Sequence, residues 1–215
     1  MFGAELFNNG TVTLGAINYY GWDTFNTLFV DGSYALVLDE RLDFKLAGQF
    51  TDQRSVGDEL VDDFDTWHGS LQGSLGWRGT VVKMAASVTG EGSQVQHPWG
   101  GSPSYLSLQQ LNFDRAGERA FLIGIAHNSG LLGRFGFSNF FNVAWGWDAV
   151  DPVTNRRLPD RREYDLTIDF KPSKGRWQGL WVRLRAAFVD TENDGRDWRE
   201  SRDFRLIVNY DIPIF

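Results

Sequence analysis

The stretch Leu180–Val189, LWVRLRAAFV, carries the clearest secondary-structure signal in the sequence. Its apolar residues alternate with a second set that includes two arginines. The first set is Leu180, Val182, Leu184, Ala186 and Phe188, and the second is Trp181, Arg183, Arg185 and Ala187. Successive side chains of a β-strand point to opposite faces, whereas a helix would scatter both sets around its axis. The stretch therefore predicts a strand with one apolar face and one face that carries cations.

The last segment of the chain repeats this alternation before the sequence ends at Phe215. One face carries Phe204, Leu206, Val208, Tyr210 and Ile212, and the other carries Asp203, Arg205, Ile207, Asn209 and Asp211. A terminal strand of this kind with a final phenylalanine is typical of the assembly signal of outer-membrane β-barrels. We therefore predict a transmembrane strand here, and the barrel-assembly machinery as a partner that recognises Phe215.

A period of two residues continues through most of the chain, with polar or turn-forming residues between the alternating segments. The predicted strands cover residues 11–20, 25–38, 41–53, 66–78, 80–91, 118–128, 134–147, 162–171, 180–189 and 203–212, with a partial strand at 2–7. Short connections are predicted at 8–10, 39–40, 78–79, 129–133 and 173–177, and longer ones at 55–65, 92–117, 149–161 and 191–200. This alternation is typical of a membrane barrel with short periplasmic turns and longer extracellular loops.

The composition agrees with a barrel in lipid and with few other classes of protein. Aromatic residues make up 15% of the chain, yet the mean hydropathy is negative. The sequence also has no apolar run of about 20 residues, the length that a transmembrane helix needs. A net charge of −7 argues against nucleic-acid binding, and the absence of cysteine excludes disulfides. No metal-ligand spacing or phosphate-binding glycine loop occurs, so we predict no metal and no cofactor.

Aromatic residues collect near the predicted strand ends, as in the two interfacial girdles of a membrane barrel. Those near short connections are Trp77, Trp177, Phe135, Phe170 and Phe215, and those near long connections are Trp67, Trp145, Trp147, Tyr164 and Phe188. The predicted fold is therefore all-β, an antiparallel transmembrane β-barrel with a meander of about ten strands and a partial eleventh at the N-terminus. We expect a single domain over residues 1–215.

Two shapes remain open for this domain: a fragment of a larger barrel, or a small barrel closed on itself. A hydrogen-bond ladder between residues 11–20 and 203–212 would decide for closure. Met1 is followed by Phe-Gly-Ala-Glu, without the basic and apolar regions of a signal peptide. We therefore expect that a signal has been removed or that the chain starts inside a longer protein.

Six stretches, in order along almost the whole chain, resemble the OprD family of outer-membrane porins. They are Asp23–Leu28 (DTFNTL), Ala47–Asp58 (AGQFTDQRSVGD), Pro98–Ser107 (PWGGSPSYLS), Asn112–Ala120 (NFDRAGERA), Gly179–Arg185 (GLWVRLR) and Asp203–Phe215 (DFRLIVNYDIPIF). The resemblance implies the C-terminal portion of a porin, with about ten of the family's eighteen strands. It also implies that the connection at 92–117 folds inward and narrows the pore, together with a third loop that this chain lacks.

Five basic residues fall on the inward face by parity: Arg183, Arg185, Arg205, Lys83 and Lys45. A cation that faces lipid near the bilayer midplane costs about 2–4 kcal/mol, so these side chains are expected to line water. The family is similar in having a basic ladder that guides carboxylate-bearing substrates. The alternative is ordinary packing, in which these cations are neutralised by inward acids at Asp43, Asp165, Asp169 and Asp203.

The predicted pore-constriction loop contains Ser102, Ser104, Tyr105, Asp114 and Arg115. Hydroxyls and one acid–base pair suit an eyelet that binds a polar solute by hydrogen bonds. Two alternatives are a solvated extracellular loop, and a role for Asn112–Ala120 in tying the loop to the barrel wall.

The sequence thus predicts an outer-membrane porin for passive, selective diffusion of small carboxylate-bearing solutes, and not an enzyme. The predicted partners are outer-membrane lipid, lipopolysaccharide and small anionic solutes, with no nucleic acid. One alternative is a non-conducting structural or binding barrel. Another is an outer-membrane hydrolase, which would require a histidine in contact with an acid, although His68, His97 and His127 are scattered along the predicted barrel axis.

Overall fold

A computed structural model of the chain describes residues 2–98, 102–129, 136–193 and 197–211. Its strands are β1 (Phe2–Asn8), β2 (Val12–Tyr20), β3 (Phe25–Asp39), β4 (Leu42–Ser55), β5 (Asp65–Trp77), β6 (Thr80–Thr89), β7 (Arg119–Asn128), β8 (Phe137–Trp147), β9 (Arg161–Phe170), β10 (Leu180–Asn193) and β11 (Asp197–Tyr210). They form one sheet in which every strand pairs antiparallel with its neighbours in sequence. The predicted meander is therefore confirmed, with the partial N-terminal strand present as β1.

The sheet is open within the part of the chain that the structure describes. β1 pairs with β2 alone and β11 pairs with β10 alone, so no ladder joins the two outermost strands there. The ladder that would have closed a small barrel between residues 11–20 and 203–212 is not observed. Among the same residues, no helix is long and apolar enough to cross a membrane.

The tightest connections have the backbone geometry that a hairpin requires. Between β5 and β6, Trp77 pairs directly with Thr80, so that Arg78 and Gly79 form a two-residue turn. Their φ angles are +47° and +83°. A turn with positive φ at both central positions matches the right-handed twist of the flanking strands, which explains the glycine at position 79.

The predicted long connection at 191–200 is wrong. β10 and β11 stay paired up to Asn193 and from Asp197 onward, with Thr191 opposite Arg199 and Asn193 opposite Asp197. Polar residues made this stretch look like a loop, but a ladder continues wherever its backbone groups find partners, whatever the side chains. Conversely, the connection after β9 is longer than predicted and covers residues 171–179.

The two faces of the sheet differ in chemistry as the alternation predicts. The outer face exposes rows of apolar side chains, among them Leu71, Met84, Ile125, Leu184 and Leu206. Phe50 stacks on Trp67 and Phe121 stacks on Trp145 on this face, both near the end with the longer loops. The predicted girdle residues Phe135 and Phe215 lie outside the described residues. The inner face is polar and is covered in part by the long connection after β6.

Candidate functional site: an inward loop on a polar wall

The connection between β6 and β7, residues 90–118, lies against the inner face of the sheet and is called the inward loop here. Leu106 and Phe113 of this loop are both 0% exposed. They pack on small inward-facing side chains of β6, β7 and β8, namely Ala85, Ala120 and Ala144, together with Leu122. The inward loop therefore has a hydrophobic core of its own, which presses it onto the wall.

Gly146 of β8 makes this close approach possible. A Cβ atom at that position would lie 2.6 Å from the ring of Phe113 and would also overlap the Glu118 carboxylate. Since a side chain here would push the loop away from the wall, the glycine is required by packing.

The start of the inward loop is tied to β4 and β5. The Gln53 side chain forms a double hydrogen bond with the backbone of Gln96: it accepts from the amide at 2.7 Å and donates to the carbonyl at 3.0 Å. The Thr66 hydroxyl donates to the Ser93 carbonyl at 2.7 Å. These side chains give the loop backbone hydrogen-bond partners of the kind that a neighbouring strand would give.

The end of the inward loop is held by Glu118, which is 0% exposed. Arg115 donates to this carboxylate at 2.8 Å through its guanidinium and at 3.0 Å through its backbone amide. Arg161 of β9 donates at 2.8 and 3.0 Å from the other side. Burial lowers the pKa of the Arg115 guanidinium, and the hydrogen bond to Glu118 acts in the opposite direction. One buried carboxylate thus joins the inward loop to β9, although Glu118 and Arg161 are 43 residues apart in sequence.

The tip of the inward loop is bound by two carboxylates of β9. Glu163 accepts the backbone N–H groups of Gln110 and Leu111, at 2.9 and 2.7 Å, one on each oxygen. Asp165 accepts the N–H of Gln109 at 3.1 Å. The tip therefore reaches across the wall and presents three successive amides to inward acids.

The predicted constriction residues all lie in this loop, and several of them hold its shape. The Ser102 hydroxyl donates to Asp114 at 3.0 Å, and His97 Nε2 lies 2.6 Å from the same carboxylate oxygen. The Ser104 hydroxyl accepts the N–H of Leu106 at 3.1 Å.

Tyr105 and Arg115 complete the predicted set. Tyr105 is half-buried against the loop core, and this burial raises the pKa of its phenol, with a further contribution from Asp31. Arg115 is engaged with Glu118 and with the Pro159 carbonyl at 3.0 Å. The stretch Asn112–Ala120 thus ties the loop to the wall, as the alternative prediction stated.

Two of the five predicted ladder cations are tightly paired with acids. Arg183 holds Asp169 with two parallel bonds of 2.7 and 2.9 Å, and its guanidinium carbon lies 4.9 Å from the ring centre of Trp181. Arg205 pairs with Asp203 on the same strand. These two arginines fit the packing alternative.

The other three ladder cations are less constrained. Arg185 is 3.8 Å from Asp165, beyond hydrogen-bonding distance. In the described residues, Lys45 and Lys83 make no hydrogen bond and no ion pair within 4.0 Å. Both lysines lie in one register row, on either side of Ser74. The wall therefore combines arginines that are closely paired with acids and cations that make no close ion pair within the described residues.

The histidines do not form a hydrolytic site. His68 bonds to Thr89 and His127 to Thr80. His97 does contact an acid, Asp114, but the Ser102 hydroxyl donates to that acid, whereas a nucleophilic serine would donate to the histidine. No cluster of three or more potential metal ligands occurs within residues 2–98, 102–129, 136–193 and 197–211.

Sequence reasoning missed the residues that hold the inward loop from the wall. Gln53, Glu118, Arg161 and Glu163 were not among the predicted site residues. The separation of 43 residues between Glu118 and Arg161, and between Gln53 and Gln96, explains this, because no local period reports such a contact.

The profile of the family described as "outer membrane porin, OprD family" matches residues 6–214. The chain belongs to this family. It is therefore an outer-membrane protein of the porin class, and the prediction that it is not an enzyme is confirmed. A search of curated protein sequences finds no match.

Solved structures of OprD-family proteins share the fold. Pseudomonas aeruginosa OccK10 (OpdN) is 18% identical with a TM-score of 0.87, and covers 99% of this chain and 61% of its own. P. aeruginosa OpdK, in a crystal structure with vanillate, is 19% identical with a TM-score of 0.84, at 97% and 54% coverage. P. aeruginosa OprD is 16% identical with a TM-score of 0.83, at 97% and 57% coverage. The chain thus spans a little over half the length of these relatives.

Proposed function

We propose that this chain forms the wall and the inward loop of a channel for passive, selective diffusion of small carboxylate-bearing solutes. The observation that carries the proposal is the state of Arg185, Lys45 and Lys83. All three lie on the face that the inward loop covers, and none of them is held in a tight ion pair within the described residues. Cations in this state attract and release an anion without first breaking a strong contact.

The mixture of paired and less constrained cations suits conduction. A channel site must bind a solute strongly enough for entry and weakly enough for release, which several weak sites achieve better than one strong site. Asp165 lies near Arg185 at 3.8 Å, so an incoming carboxylate would compete with an anion already present. We propose that this competition keeps residence at each site short.

One solved structure of the family contains a small carboxylate. OpdK was crystallised with vanillate, a carboxylate, and its fold matches this chain over 97% of the residues. The identity of 19% is too low to carry the ligand over. The choice of carboxylates therefore rests on the inward cations.

Proteoliposome uptake tests the proposal. Removal of both lysine charges, K45Q/K83Q, is expected to lower uptake of a small carboxylate by about tenfold, because charged clefts raise encounter rates by that order or more. Uptake of a neutral solute of the same size should not change. Arg156→Gln is the matched control, since Arg156 is an exposed cation in the connection between β8 and β9. Equal losses for both solutes, or no loss for the carboxylate, would contradict the proposal.

A non-conducting wall is the second candidate. Two observations favour it: the sheet is open at β1 and β11 in the described part of the chain, and the inward loop occupies part of the inner face. Folded protein in an unbroken, insulating bilayer would support this candidate.

We also propose three further partners. They are outer-membrane lipid, lipopolysaccharide at the end with the longer loops, and the barrel-assembly machinery. Phe215, the predicted signal for that machinery, lies outside the described residues. Its role is tested by deleting Phe215 and measuring how much of the protein assembles in the outer membrane of cells.

A further inference from the structure

We infer that the short-turn rim of the sheet binds anionic phospholipid head groups through two tryptophan–arginine pairs. The short-turn rim consists of the connections at 9–11, 40–41, 78–79 and 171–179. The pairs are Trp77 with Arg78, and Trp177 with Arg176. This inference depends on the outer-membrane location of the chain and not on conduction.

The two pairs come from different hairpins and have similar distances between the cation and the ring. The guanidinium carbon of Arg78 lies 5.4 Å from the ring centre of Trp77, and that of Arg176 lies 5.0 Å from Trp177. The tryptophans are 57% and 50% exposed, which is high for such large apolar side chains. A cation at this distance is attracted by the ring face, so each arginine is positioned in advance beside its tryptophan.

The first pair sits where lipid would end and head groups would begin. Trp77 is in register with Leu42 on the outer, apolar face of the sheet. Arg78 follows immediately, and its backbone N–H donates to the carbonyl of Arg41 in the adjacent turn at 3.2 Å. A groove of about 610 Å³ lies between these turns and is lined by both arginines, but also by three acids, Asp39, Glu40 and Asp43. These carboxylates offset the guanidiniums inside the groove, so the first pair offers the Arg78 guanidinium beside the exposed Trp77 ring rather than a basic groove.

The second pair lies in a strongly basic connection. Residues 171–179, KPSKGRWQG, contain Lys171, Lys174 and Arg176 and no acid. All three cations are exposed. Trp177 therefore stands among positive charges with no acidic residue of the same connection to neutralise them.

The opposite rim of the sheet has a different chemistry. The connection at 56–64 carries Asp58, Glu59, Asp62 and Asp63 and no basic residue. The outer-face tryptophans near that end, Trp67 and Trp145, stack on phenylalanines. The tryptophan–arginine combination thus distinguishes the short-turn rim, and within that rim the basic connection at 171–179 is the stronger site for an anionic head group.

Quenching of tryptophan fluorescence by brominated lipid tests the inference directly. The full chain is reconstituted in phosphatidylcholine bilayers that contain increasing fractions of brominated phosphatidylglycerol. We expect phosphatidylglycerol to be enriched around the wild-type chain. Each basic residue near an anionic surface contributes about 1 kcal/mol. In the double variant R78Q/R176Q, the enrichment of phosphatidylglycerol should therefore fall roughly fivefold for each arginine removed. The single variant R156Q, at the long-loop end, should lose none.

Two further measurements complete the test. Circular dichroism and heat-modifiability on gels establish that R78Q/R176Q is folded. In the wild-type chain, the preference for phosphatidylglycerol should weaken at high salt. If the preference is equal in wild type and R78Q/R176Q, or if added lipopolysaccharide displaces the brominated lipid from the rim tryptophans, the inference is overturned. The same quenching in W77F and W177F variants identifies which tryptophan reports the lipid.

Discussion

Glu118 shows how much of the inward loop depends on one side chain. Its carboxylate is fully buried and binds Arg115 from the loop and Arg161 from β9, with every contact at 2.8–3.2 Å. Two arginines on one buried acid leave an uncompensated cation if the acid is neutralised. Loss of one partner from a buried charge pair costs about 3–5 kcal/mol.

We therefore expect Glu118→Gln to lower the free energy of unfolding by about 3 kcal/mol. Urea titration in detergent micelles, followed by tryptophan fluorescence, measures this change. The matched control is Glu200→Gln, because Glu200 pairs with Arg202 at 2.8 Å on an exposed surface. That control should change stability by about 1 kcal/mol or less. Similar effects of the two substitutions would contradict the role assigned to Glu118.

At the scale of elements, the tip of the inward loop is held to the wall mainly through its backbone. The tip depends on backbone N–H groups that donate to Glu163 and Asp165. Loss of either carboxylate should therefore let the tip open locally at a lower free energy than the strands do.

Glu163→Ala removes the acceptor of two tip amides and should raise amide hydrogen exchange at Gln110 and Leu111 by about tenfold or more. Exchange in β7 should stay the same, since its ladder is untouched. Ser201→Ala is the control, because Ser201 donates only to the side chain of Gln110. Unchanged exchange at the tip in Glu163→Ala would show that other contacts hold it.

The elements also show what a sequence can predict. Alternation at Leu180–Val189 predicted not only the strand but the side on which Arg183 and Arg185 lie, because a period of two leaves no choice of face. The stretch at 191–200 was misread, since polarity does not end a backbone ladder. Gln53 and Glu163 were missed because their partners in the loop are 43 and 53 residues away in sequence. Gln53 and Glu163 hold the loop only because the fold brings distant residues together, and no pattern of neighbouring residues reports this.

At the scale of the whole molecule, the open edges of β1 and β11 are the main constraint. Each edge strand has a neighbour on one side only, within the described residues. Unpaired backbone groups in hydrocarbon cost several kcal/mol each, so we expect both edges to be covered by further strands in the membrane.

A cysteine pair tests whether the two edges cover each other. Because the sequence contains no cysteine, A4C/V208C places the only two thiols on β1 and β11. We expect no intramolecular disulfide after oxidation in a bilayer. The positive control is V182C/V208C, whose positions are in register on adjacent strands and so within the reach of a disulfide. An efficient A4C/V208C cross-link would mean that the sheet closes on itself.

At the same scale, we propose that cations on the inner wall make this protein a channel for small anions. Planar-bilayer recording across a gradient of a sodium carboxylate tests it most directly, because the sign of the reversal potential reports which ion crosses. We expect discrete conductance with a reversal potential that favours the carboxylate, and a shift toward sodium in K45Q/K83Q. A bilayer that stays insulating with folded protein present, or a pore that prefers sodium in the wild-type chain, would contradict it.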